Sequence, residues 1–419
     1  MLGLKSTGRP SMEFYSGFSA EADTRRAIET LSQEAAQSIR GSADLILVFF
    51  SPHHRRTISE AMLKLMRDLS PKVLLGCSGE GIIGTTVEME GKPAFSLWAA
   101  KLPGVTLTPF HLSFEEEPHG VRLSGWPTTL PKPDEGVRPF FITLVEPFST
   151  PAHEFLEFLE RKYPGAPVLG GMASGAQIPA ENLLLINGEV VKEGVVGVCA
   201  HGAVLLEAVV SQGCRPVGEL FRVTHSERNV IHELSGRPAL QRLTEVFKTL
   251  SEEEKQLAQH GLHIGCASDE QKERFSRGDF LVRNLIGIDE ENGSLAVGDL
   301  VNEGQTVQFH VRDAESARED LRILLEARKG KLAGTPPLAA LLFSCNGRGV
   351  RFFGKPNQDV EAVQQMVGKI PLAGFFAQGE IGPIGKKNFL HGFTASIVLF
   401  CGPKSEELNP SRGSSLLVS

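Results

Sequence analysis

One pattern of residues occurs three times in the chain and limits the folds that it can adopt. Each copy begins with an apolar run, continues through a segment with helical periodicity and ends in a second apolar run followed by glycine. The copies span residues 44–79, 139–175 and 338–379. Apolar runs of this length on both sides of a helical segment are typical of parallel strands in a sheet covered on both faces. The sequence therefore predicts three βαβ units.

Antiparallel strands are predicted to follow the units. Asn187-Gly188 lies between apolar flanks, and both residue types tolerate the positive φ angles of a tight hairpin turn. The pattern from about Pro216 to Gly261 is mostly helical, and strand patterns return after it. We predict an α/β fold with two related lobes of mixed β-sheet, in which antiparallel hairpins are added to the βαβ units and helices pack on the sheets.

The boundary between the lobes is placed near residue 220. The first lobe is predicted to span residues 12–220 and the second to span residues 221–402. The remaining segment, residues 403–419, is rich in serine, proline and charged residues, so we expect a disordered tail.

Composition and charge argue against several classes of protein. Lysine and arginine total 43 against 50 acidic residues, a formal charge of −7, which disfavours a nucleic-acid partner. No apolar run reaches the roughly 18 residues of a membrane-spanning helix, so we expect no membrane association. The six cysteines are scattered along the chain, and this favours a reducing, cytoplasmic location.

Three short motifs resemble cofactor or metal sites but lack the required context. The GxGxxG pattern at residues 79–84 is followed by β-branched residues and not by a helix, so it does not predict dinucleotide binding. The GxxxxGK pattern at residues 349–355 has Pro356 where a P-loop needs a hydroxyl. His260, His263 and Cys266 supply three potential zinc ligands without a fourth. We therefore predict no cofactor and no metal.

Functional groups are concentrated where the strands of the first and third units end. The carboxyl ends of parallel strands meet at one edge of a sheet, which is where open α/β sheets bind ligands. In this prediction Arg348 pairs with a ligand carboxylate, Glu380 pairs with an amine, and glycine-rich backbone amides bind oxygen atoms. The candidate ligand-binding residues are Cys77, Ser78, Glu80, Ser344, Cys345, Asn346, Arg348, Gly374, Phe375, Phe376, Gly379, Glu380 and His391.

Several of these stretches resemble the FIST domain family, with its N-terminal and C-terminal halves in tandem. The similarity extends over about residues 15–402 and is most specific at residues 343–349 and 374–383. The resemblance implies a sensory module that binds small ligands, including amino acids or related metabolites, and that acts in bacterial signalling. It also implies a second role, because similar halves follow an F-box in animals and recognise substrates of a ubiquitin ligase.

We therefore expect a stand-alone, cytosolic sensory protein that acts in signal transduction by binding a small polar ligand, without turnover. About a dozen residues precede the first family-like segment, fewer than an F-box needs. A second hypothesis is a protein-recognition scaffold with a signalling or ubiquitin-pathway partner. A third is an enzyme in which Cys345 is the nucleophile and His391 is the base.

Overall fold

The computed structural model describes residues 11–118, 120–131, 137–275, 278–332 and 335–402. The predicted tail, residues 403–419, lies outside the described residues, as do residues 1–10.

The first βαβ unit is built from six strands and two helices. Strands β2 and β3 are its parallel pair, and each residue from Leu45 to Phe50 faces one from Val73 to Ser78. All of these residues are buried, which explains the two apolar runs in the sequence. The elements are β1 (Glu13–Ser19), α1 (Thr24–Ser38), β2 (Leu45–Phe50), α2 (Ile58–Leu69), β3 (Val73–Ser78), β4 (Gly81–Ile83), β5 (Glu88–Glu90) and β6 (Phe95–Lys101).

The second unit repeats this order with a single helix. Its parallel pair is β9 and β10, and its Asn187-Gly188 turn joins two short strands with positive φ at both residues, as predicted. The elements are β7 (Val105–Glu117), β8 (Gly120–Ser124), β9 (Phe140–Val145), α3 (Ala152–Lys162), β10 (Val168–Met172), β11 (Leu184–Ile186), β12 (Glu189–Val191) and β13 (Val195–Gly202).

The third unit begins with β14 (Leu205–Ser211) and is then interrupted by an antiparallel barrel. Strands β15, β21, β18, β19, β20 and β16 pair in that order, and β15 also pairs with β16, which closes the barrel. Its elements are β15 (Cys214–Glu227), β16 (Val230–Leu234), β17 (Arg237–Pro238), α4 (Ala239–Thr249), α5 (Glu252–His260), β18 (Leu262–Ala267), β19 (Phe280–Asp289), β20 (Ser294–Val297) and β21 (Thr306–Arg312).

After the barrel the third unit resumes. Its parallel pair is β22 and β23, which confirms the third predicted βαβ unit. The elements are α6 (Ala314–Lys331), β22 (Pro337–Cys345), α7 (Gly349–Phe353), α8 (Gln358–Val367), β23 (Leu372–Ala377), β24 (Glu380–Ile384), β25 (Lys387–His391) and β26 (Ala395–Cys401).

The helical prediction for residues 216–261 is wrong in its first part. Residues up to Leu234 form strands β15 and β16, and the helices begin at Ala239. The error has a physical reason, because β15 changes register between Val217 and Phe221. This bulge places two buried residues four positions apart, a spacing that imitates the period of a helix.

The three units exchange hairpins in a cycle. The hairpin β4–β5 of the first unit pairs with β23 of the third, β11–β12 of the second pairs with β3 of the first, and β24–β25 of the third pairs with β10 of the second. Three mixed sheets result, with the orders β1-β6-β2-β3-β11-β12, β25-β24-β10-β9-β13-β7-β8 and β14-β26-β22-β23-β4-β5. The predicted fold class, mixed sheets with βαβ units, added hairpins and packed helices, is confirmed.

The inner faces of the three sheets share one apolar core. It contains residues of every unit, including Phe49, Ile142 and Phe343. The ring of Phe375 stacks on that of Phe49, with centroids 5.3 Å apart, and lies edge-on to that of Phe343. The barrel has a separate core, so it is packed as a distinct body beside the three sheets.

A glycine occupies the same place in each parallel pair. Gly76, Gly170 and Gly374 lie opposite Val48, Thr143 and Leu342. A Cβ atom at any of the three would overlap the carbonyl oxygen of the residue opposite. The glycine-rich ends of the three sequence repeats are therefore explained by close approach of neighbouring strands.

We expect Gly374→Ala to lower the free energy of unfolding by about 1–3 kcal/mol, because the added methyl group forces β22 and β23 apart. Gly330→Ala is the control, since nothing lies within 4 Å of a Cβ placed at that helical position. Urea denaturation of both variants tests this expectation. Equal stability of the two variants would contradict it.

Candidate functional site

The candidate site lies where the barrel meets the strand ends of the third unit. Cys345 is the last residue of β22, and its backbone N–H donates to Thr394 O. Asn346 and Gly347, which follow it, are exposed, whereas Cys345 is 8% exposed. The barrel contributes Arg312 from the end of β21. Residues far apart in the sequence are thus brought together at one junction.

Arg348 is held in a buried ion pair. Its Nε and Nη2 atoms donate to the two carboxylate oxygens of Asp359, at 2.8 and 2.7 Å. Ser344 Oγ also donates to this carboxylate, and Arg348 Nη1 donates to Phe393 O. Arg348 has no exposed surface. Its guanidinium therefore fixes α7 and α8 to the strand ends, and its predicted pairing with a ligand would require it to leave Asp359.

Glu380 is fully enclosed beside Cys345. Its Oε2 atom accepts hydrogen bonds from Thr394 N and Thr394 Oγ1, at 3.1 and 2.7 Å. Its Oε1 atom is buried and has no hydrogen-bond partner among the described residues. Burial raises the pKa of Glu380 to about 8 and that of the Cys345 thiol to about 12. Both groups are therefore neutral near pH 7, and a neutral Glu380 is a poorer partner for the predicted amine than a carboxylate.

Arg312 is the guanidinium group that the sequence prediction missed. It lies between two aromatic rings, with Cζ 4.0 Å from the centroid of Phe352 and 4.8 Å from that of Phe393. Nη2 donates to Gly347 O, while the buried Nε has no acceptor among the described residues. Its place as the last residue of a strand was the only sequence signal, and the sequence alone does not show that the barrel meets β22.

Gln212 contributes a second unsatisfied donor near the same junction. It lies in the link between β14 and β15, is 6% exposed, and its Nε2 atom has no described acceptor. Cys214, two residues later, is paired in register with Arg312. The adjacent Gly213 has φ +65°, and a Cβ there would press on Arg348 Nη1. The link therefore passes tightly against the buried ion pair.

The strand end of the first unit reaches this junction through Glu80. Asn346 Nδ2 donates to Glu80 Oε2 at 3.3 Å, although the two residues are 266 positions apart. Ser174 of the second unit joins all three units at this point, because its hydroxyl donates to Phe376 O and accepts from Glu80 N. Its own N–H donates to Ser78 O. The three strand ends are thus connected by one serine.

The other candidate residues lie inside the sheets. Cys77 and Phe375 are core residues, and Ser78 Oγ accepts from Leu183 N. Gly379 O accepts from Met172 N, so it contributes to the exchanged hairpin. Gly374 provides the close strand approach described above, and Phe376 packs in the core beneath α8.

His391, the predicted base, is hydrogen-bonded elsewhere. Its Nε2 atom lies 2.9 Å from Gly382 O, and burial lowers its pKa to about 4. Among the described contacts, none joins this ring to Cys345. The thiol is neutral near pH 7, and so is the adjacent Glu380 carboxyl, so the geometry lends no support to a nucleophilic Cys345.

Neither a metal site nor a membrane span is found in the described part of the chain. No three or more histidine, cysteine or acidic side chains are grouped there in a way that could hold a metal ion, and the side chain of His260 lies outside that part. None of the described helices combines the length and apolar character that crossing a bilayer requires.

The fold is a mixed α/β architecture in which three units complete one another's sheets. The site is a buried polar junction between these sheets and the barrel. Two family models match the chain: the FIST N domain over residues 44–237 and the FIST C domain over residues 239–383. The chain belongs to the FIST family, as its sequence motifs predicted. FIST domains are sensory domains of signal transduction.

Relatives of this chain occur in mycobacteria. An uncharacterized protein of Mycobacterium tuberculosis is 38% identical over 385 residues, which cover 92% of this chain and 98% of the relative. An uncharacterized protein of Mycobacterium bovis is 37% identical over 385 residues, which cover 92% of this chain and 97% of the relative.

The first family model ends at residue 237 and the second begins at residue 239, within the barrel. The boundary that we propose near residue 220 also lies within the barrel, in β15.

Proposed function

We propose that this protein is a cytoplasmic sensor that binds a small polar ligand, such as an amino acid or a related metabolite, at the junction between the barrel and the strand ends. The proposal rests on three unsatisfied polar groups at this junction. Arg312 Nε, Gln212 Nε2 and Glu380 Oε1 are all buried without a partner among the described residues. Buried polar groups without a partner are costly, and a bound ligand would supply partners for these three.

The position of the junction also supports a sensory role. The barrel is joined to the three sheets by the link around Gly213 and by Arg312-Asp313. A ligand held by Arg312 contacts both bodies, because Arg312 belongs to the barrel and its nearest partners, Gly347 and Phe352, belong to the third unit. Binding at this point would favour one orientation of the barrel, which a signalling partner could recognise.

The test is a thermal-shift screen of the purified protein against amino acids, small carboxylates and nucleotides. A ligand present at about 100 times its dissociation constant adds about 2.7 kcal/mol to the free energy of unfolding. We expect the rise in melting temperature to be lost in Arg312→Ala and kept in Arg222→Ala, a control on an exposed arginine of the barrel. No rise with any compound would contradict the proposal.

One observation favours the second candidate, a scaffold for a signalling or ubiquitin-pathway protein. Ile286 and Ile288 lie on the same side of β19 and are 61% and 53% exposed. Apolar side chains exposed together on a strand are typical of protein contacts. If the protein is such a scaffold, the double variant Ile286→Asp, Ile288→Asp should no longer bind its partner protein. Ligand binding at the junction should remain intact.

A further inference from the structure

We propose that the junction binds the anionic end of its ligand, a carboxylate or another small oxyanion, and that it does not bind an ammonium group. This inference rests on the proposed function and specifies the chemistry of the group that the site accepts. It follows from what each unsatisfied atom can donate or accept.

Two of the three unsatisfied atoms are donors in any protonation state. A guanidinium Nε–H and an amide NH₂ donate hydrogen bonds and accept none. Arg312 Nε and Gln212 Nε2 therefore both require an acceptor. Gln212 lies close to Arg312, because it precedes Cys214, the register partner of Arg312, by two residues.

The third atom, Glu380 Oε1, belongs to a carboxyl group whose other oxygen already accepts two hydrogen bonds from Thr394. These bonds leave Oε1 to carry the proton. Because burial raises the pKa of Glu380 to about 8, the group is a carboxylic acid at neutral pH, and its O–H is a third donor. An ammonium group, which only donates, would find no acceptor among these three atoms.

Most of the titratable groups around Glu380 are neutral or paired. Arg348 is neutralised by Asp359, whereas Arg312 has no ion pair with any residue that the structure describes. Cys345 and Cys214 are neutral thiols, because burial raises the pKa of each to about 12, and His391 is neutral because burial lowers its pKa to about 4. Glu80, on the exposed side, bonds to Asn346. Asp320, a buried acidic side chain that accepts a hydrogen bond from Ser211 Oγ, also faces Arg348 and Cys214. Arg312 is the guanidinium group of the junction that lacks an ion pair among the described residues.

The experiment compares three probes of similar size that differ in their charged groups: propionate, alanine and propylamine. Inorganic phosphate is a fourth probe, which distinguishes an oxyanion from a carboxylate. Melting temperature is measured at constant ionic strength for the native chain, for Arg312→Gln and for the control Arg222→Gln. We expect propionate and alanine to raise the melting temperature by a few degrees, and propylamine to have no effect. The rise should vanish in Arg312→Gln alone.

The variant Glu380→Gln tests whether Glu380 is a protonated carboxyl group, and not a carboxylate, when the ligand binds. This variant keeps a neutral donor, so propionate should still bind, and binding should no longer weaken as the pH rises through 8. In the native chain the same rise in pH ionises Glu380 and should weaken binding about tenfold or more.

Each other outcome has a defined meaning. A rise with phosphate but not with propionate supports the inference and identifies an oxyanion. A rise with propylamine, or with alanine but not propionate, overturns the inference and leaves the proposed function standing. No rise with any of the four probes overturns the inference, and the proposed function fails only if the wider screen is also negative.

Discussion

Asp359→Ala is expected to lower the free energy of unfolding by about 3–5 kcal/mol, measured by urea denaturation. The substitution removes both carboxylate oxygens that bind Arg348, so a fully buried guanidinium group loses its ion-pair partner. It also removes the acceptor of Ser344 Oγ. The cost is large because the guanidinium cannot reach water unless β22, α7 and α8 separate.

Two control variants test whether the expected loss of stability comes from burial of the charge or from loss of an ion pair as such. Arg322→Ala breaks an exposed ion pair with Glu326 and should cost less than about 1 kcal/mol. The double variant Arg348→Met, Asp359→Leu removes both charges and should recover a large part of the stability lost in Asp359→Ala. A double variant less stable than Asp359→Ala would show that the ion pair is not the main contribution.

The ion pair also shows what the sequence does not contain. Arg348 follows a predicted strand end, so its position at the junction could be predicted. Asp359 lies eleven residues later at the start of a helix, where an acidic residue is common for reasons of helix stability alone. Nothing local distinguishes a buried counter-ion from a solvated one, so the sequence predicts a ligand carboxylate as the partner of Arg348 and gives no sign of Asp359.

The same limit applies to the architecture. The three βαβ units could be predicted because each depends on residues within about 40 positions of one another. The hairpin exchange could not, because the short strand at Gly81–Ile83 carries no signal for the distant strand that it joins, Leu372–Ala377. Arg312 was missed for the same reason, since its partners Gly347 and Phe393 are contributed by other elements.

The second large effect is a loss of stability above neutral pH. Two buried carboxyl groups are affected: burial, and then the neighbouring Asp359, raise the pKa of Glu88 to about 8, and burial raises that of Glu380 to about 8. In the unfolded chain both ionise near their ordinary value of 4.5. Between 4.5 and 8 the folded protein therefore binds more protons than the unfolded chain, so rising pH favours unfolding.

Three buried histidines act in the opposite direction at lower pH. Burial lowers the pKa of His54, His263 and His391 to about 4, from an ordinary value of 6.5. Between 4 and 6.5 the unfolded chain binds these three protons and the folded protein does not, so falling pH favours unfolding. Three histidines outweigh two carboxyl groups in this range. Stability should therefore be greatest near pH 6.5.

Denaturation profiles at a series of pH values test this balance. From pH 6.5 to 8 the free energy of unfolding should fall by about 2 kcal/mol. The two carboxyl groups contribute a loss of about 3 kcal/mol, and deprotonation of the three histidines in the unfolded chain offsets about 1 kcal/mol of it. In Glu88→Gln combined with Glu380→Gln this decline should disappear, because neither side chain can ionise, whereas the loss of stability below pH 6.5 should remain. A decline of the same size in the double variant would contradict this prediction, because it would show that these carboxyl groups are already ionised in the folded protein. Glu380 could then not donate a hydrogen bond to an anion at the junction.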